Sequence, residues 1–144
     1  MTALDSPWPQ TSWPLRIAAI IAVAFGALTV VSGGAALFGG PEARAAVGDA
    51  VPFVLWFNFL AGFAYVAAGI GLWLRQPWAA RLALLLALAT LAVFAAFGVH
   101  IATGVAYEPR TVGAMTLRSL VWLAIAVLAR RMLHRRSRPA AEPS

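Results

Sequence analysis

Residues 111–133 read TVGAMTLRSLVWLAIAVLARRML, and whether they cross a membrane decides between three spans and four. A hydrocarbon core about 30 Å thick takes about 20 helical residues at 1.5 Å each. The uncharged run from residue 119 to residue 129 covers only about 16 Å, roughly half that depth. The segment therefore spans only with Arg118 inside it. An arginine within a span costs about 2.5–3.5 kcal/mol on insertion scales, so Arg118 must find a partner or water.

The rest of the chain supports the spanning reading. Three further apolar segments precede it, at residues 15–38, 51–74 and 78–103, each long enough to cross unaided. Hydrophobic residues make up 62% of the 144 positions and charged residues 11%, with a mean hydropathy of +0.82. An ordinary soluble domain has about 25% charged residues. One core of this size could not hide so much apolar surface, which makes lipid the natural solvent. No ten-residue stretch alternates with period two, so a barrel is excluded. The expected fold is an all-α integral membrane protein, a compact four-transmembrane-helix up-down bundle with short loops. Residues 1–14, with three prolines and two tryptophans, read as an interfacial N-terminal segment anchored by Trp8 and Trp13, and residues 134–144 as a basic, disordered tail.

Charge sets the orientation. The basic residues are eleven arginines and no lysine, and most lie where apolar segments end. Arg16, the 74–81 connection and the C-terminal end place eight arginines on one side. The opposite loops hold Arg44 and Arg110. The positive-inside rule then puts both termini in the cytoplasm. Heavy alanine and arginine use suits a bacterial inner (cytoplasmic) membrane. The net charge of +6 and the pI near 11.6 are accounted for by topology, so nucleic acid is not an expected partner. With no cysteine there is no disulfide or thiolate metal site. Pairs of small residues four apart (Thr29 and Gly33, Ala67 and Gly71, Ala92 and Ala96) permit close helix packing.

The polar residues gather toward the outer half. Asn58 sits in the second segment on a stripe with Gly62, Tyr65 and Gly69 that should face the bundle interior. His100 lies near the outer end of the third segment. Glu108 and Arg110 lie in the loop above Arg118. Candidate partners for Arg118 are Glu108, Asp49 or backbone carbonyls, with a Glu108–Arg118 pair favoured. Asn58, Tyr65, His100, Glu108, Arg110 and Arg118 therefore form the candidate ligand-binding or structural cluster. His100 with Met115 is too small a ligand set for a metal or haem, and no cofactor is expected.

Serine-hydrolase, metalloprotease and phosphate-loop motifs are absent, and no acidic residue falls inside a span. The chain reads as a non-enzyme. Two functions fit: an accessory or scaffolding subunit packed against a larger membrane complex or its own copies, or a stand-alone module binding a lipid, quinone-like or anionic ligand on the outer side. The first is preferred on size and on the alanine-rich and aromatic faces. In length and hydropathy the chain resembles the many small four-span bacterial membrane proteins, those of the DoxX type among them. No motif accompanies that resemblance, and it implies no residue roles.

Overall fold

A computed structural model describes residues 13–134. Trp8, Arg135, Arg136 and Arg138 lie outside them. The described chain is all helical: α1 (Trp13–Phe38), α2 (Pro41–Val47), α3 (Pro52–Trp73), α4 (Pro77–Ala102) and α5 (Pro109–His134). Four of these, all but α2, are long and apolar enough to cross a membrane. The fourth span does enclose Arg118. At 26 residues, α5 is about 39 Å long and exceeds the hydrocarbon thickness.

The helix starts are set by proline. Each of α2 to α5 begins on one, where the missing N–H would have had no intrahelical partner and the ring's φ already suits a helix. α1 begins two residues earlier than expected, so Trp13 and Pro14 belong to it rather than to the preceding segment. The short α2 was not expected. Residues 39–50 read as a loop, yet Pro41 opens a helix with Glu42 in its first turn and Arg44 in its last, both favourable to the helix dipole. Between α3 and α4 the turn is tight. Gln76 N–H bonds the Gly71 carbonyl at 2.8 Å and Arg75 adopts φ 55°, closing α3 as a glycine usually would.

Packing is closest between α1 and α3. A Cβ added at Gly26 would lie 2.8 Å from the Gly62 carbonyl oxygen and 2.9 Å from Tyr65 Cβ. Further along, Gly69 meets Ala19 and Val23, while Gly33 meets Phe59. These pairings run α1 and α3 in opposite senses, with backbones close enough for dispersion to hold them. Of the small pairs expected to pack, Thr29 and Gly33 are buried, whereas Ala67, Ala92 and Ala96 are exposed. Close approach is built on Gly26, Gly62 and Gly69, together with the expected Gly33 against Phe59 and Gly71 against Trp78.

α4 leans on α3 through Gly71 against Trp78, and on α5 along its length. The centre is filled by Tyr65, Leu72, Phe97, Met115 and Trp122, all fully buried. Tyr65 and Trp122 rings lie 4.6 Å apart and join α3 to α5. By contrast, α1 and α5 touch only sparsely.

Candidate functional site

Arg118 is the only charged side chain among the described residues that is buried, at 8% exposure. Its surroundings offer little to a cation. Nη1 donates to Met115 Sδ at 3.7 Å, Nη2 donates to Thr29 Oγ1 at 3.4 Å, and Nε has no partner. The guanidinium carbon sits 5.5 Å from the centre of the Phe25 ring, a cation–π contact. Thr29 is fixed in place because its hydroxyl donates to the Phe25 carbonyl at 2.7 Å, leaving its lone pairs for Arg118. A guanidinium carries five N–H donors, and here one hydroxyl and a weakly accepting thioether answer them.

The favoured Glu108–Arg118 pair does not form. Glu108 Oε2 stands 3.5 Å from Arg110 Nε instead, and its Oε1 accepts the Asp49 backbone N–H at 3.2 Å. The reason is distance along the helix: ten residues separate Glu108 from Arg118, a rise of about 15 Å. Asp49 likewise stays with Glu108 beside the start of α5, and Arg118 makes no hydrogen bond to a backbone carbonyl.

Beside Arg118 lies a cavity of about 400 Å³. α1 contributes Thr29, Ser32 and Gly33 to it, α3 contributes Asn58, and α5 contributes Arg110 and Arg118. Eight residues separate the two arginines, so they sit about 12 Å apart along α5, one at each end of the cavity. No acidic side chain lines it. Asn58 Oδ1 is buried and unbonded, a second polar atom with unmet hydrogen-bonding capacity at the same place.

The end of the cavity away from Arg118 is bordered by α2 and its connection to α3, which supply Val47, Ala50 and Val51 to the lining. Arg110 Nη2 donates to the Ala46 carbonyl at 2.7 Å. Together with the Glu108 contacts this clasps α2 to the start of α5. Gly48, at φ 60°, makes the turn beneath it, and any side chain there would strike the Glu108 carboxylate.

The structure thus brings Asn58, Arg110 and Arg118 to one cavity and places Glu108 in the clasp above it. Tyr65 is part of the buried core next door, its hydroxyl 3.5 Å from Thr90 Oγ1, on the expected interior stripe with Gly62 and Gly69. His100 packs edge-on against Phe53 at 5.9 Å and does not line the cavity. Sequence reading missed Thr29, Ser32 and Thr111, the hydroxyls of the lining. Among the described residues no three His, Cys, Asp or Glu side chains gather as a metal site would need. Comparison with family models, curated proteins and solved structures finds no match to this chain.

Proposed function

We propose that the chain is a stand-alone binding module of a bacterial inner membrane, an up-down bundle with both termini cytoplasmic, whose cavity takes an anionic group from the outer side. The observation that carries this is Arg118: a buried cation with no carboxylate beside it, an unbonded Nε, and an open cavity against it. A buried charge left uncompensated is expensive. A phosphate or carboxylate in the cavity would supply the missing acceptors to Arg118, as guanidinium geometry favours. The activity proposed is binding.

The test is titration of full-length protein in nonionic detergent with glycerol phosphate and with phosphatidylglycerol, reading the fluorescence of the tryptophans, of which Trp122 lies one turn from Arg118 in α5. Saturable binding that Arg118→Gln removes supports the module. Absence of any anion-dependent signal removes it.

A second reading, the accessory subunit, draws on an edge-to-face run of Phe38, Trp56, Phe59 and Phe63, largely exposed along α1 and α3. Such a ridge suits a neighbouring helix as well as lipid. Native mass in mild detergent separates the two: co-purifying polypeptides favour the subunit, a monomer or small homo-oligomer the module.

A further inference from the structure

Resting on the reading of the Arg118 cavity as a ligand site, we infer that its ligand is a membrane lipid with an anionic headgroup, which enters sideways between α1 and α5. Three observations point this way. From the water side, the cavity is crossed by α2, and the contacts of Glu108 and Arg110 hold α2 down. From the lipid side, α1 and α5 are only sparsely joined.

The third observation is an apolar groove of about 330 Å³ along the same seam, walled by Trp13, Ile17 and Ile21 of α1 and by Val121, Ala124 and Leu128 of α5. On α5 it begins at Val121, three residues from Arg118, and on α1 it ends at Ile21, eight residues from Thr29; both sites lie on the α1/α5 boundary. One molecule with a charged end and a hydrocarbon body fits the pair. Its phosphate would meet Arg118 in a cavity that no acidic side chain lines, and its chain would lie along the groove. A free phosphate satisfies Arg118 and leaves the groove unused.

The experiment uses full-length protein in mild detergent. Retention of phosphatidylglycerol over phosphatidylcholine is read by native mass spectrometry, and binding of soluble glycerol phosphate by titration. Two variants fill the groove from opposite walls, Ala124→Trp and Ile17→Trp, and each is taken forward with helix content matching the parent. Arg118→Gln removes the charge. The expected result is that the parent retains phosphatidylglycerol selectively, that the groove variants weaken this by about tenfold or more while glycerol phosphate binding is unchanged, and that Arg118→Gln loses both. If both groove variants retain phosphatidylglycerol as the parent does, the sideways lipid is overturned while the anion site stands. If neither probe is preferred and Arg118→Gln changes nothing, the anion site falls and the lipid inference with it.

Discussion

Arg118 carries a cost that its contacts do not offset. Its partners are a thioether, a threonine hydroxyl and the face of Phe25, none of them anionic. Removing an uncompensated buried charge relieves its desolvation. Arg118→Met should therefore raise the thermal midpoint of the detergent-solubilised protein while abolishing anion binding, whereas a residue in a stabilising ion pair would lower it. Trp122 is the opposite case. It is fully buried and packed on Tyr65, and Trp122→Ala should cost about 3–5 kcal/mol, measurable by denaturant titration monitored by circular dichroism. At this scale the sequence was half legible. An arginine in an apolar run announces itself. Its partner does not, because Thr29 lies 89 positions away and hydroxyls in apolar helices look alike. The Glu108 expectation failed on helical rise, and His100 drifted from the cavity because its ring found Phe53.

The α1–α3 contact depends on missing side chains. Gly26→Val would drive a methyl-bearing Cβ into the Gly62 carbonyl and Tyr65, neither of which can swing away, and should destabilise by about 1–3 kcal/mol. Gly98→Ala on α4, where nothing lies within 4 Å, should be neutral or slightly stabilising. Parallel thermal melts of the two variants check the contrast. The α2 clasp is a weaker device. Glu108 and Arg110 form a partly exposed pair of the kind worth about 0–1 kcal/mol, so Arg110→Ala should leave the global melt nearly unchanged. The amides of residues 45–50 should exchange hydrogen faster once the bond to Ala46 is gone, which mass spectrometry can follow. The long helices were legible from hydropathy to within about two residues, because in lipid only helices and closed barrels satisfy the backbone groups and no stretch alternates as a barrel strand does. α2 was not, since seven residues with no buried position leave no periodic apolar signal. The prolines that open four of the helices were the unused cue.

For the molecule as a whole, hydropathy fixes how many helices can cross, and arginine placement is the basis for their direction. Reporter fusions after residue 144 and within residues 39–50 should report cytoplasmic and outer locations respectively. The reverse pattern would put the cavity on the cytoplasmic side. What the sequence could not convey is how unevenly the helices join: tightly between α1 and α3, sparsely between α1 and α5. Both kinds of packing use the same alanine-rich vocabulary, and only glycine register distinguishes them. That unevenness bears on biosynthesis. As the nascent chain leaves the ribosome, α5 emerges after α1, α3 and α4 and bears an arginine well inside its length. The groups that receive this arginine, Thr29 and Phe25, belong to the earlier-made α1. Insertion of α5 would thus draw on α1 being already in the bilayer and held by α3, so the order of synthesis is also the order in which the membrane is made hospitable to the charge.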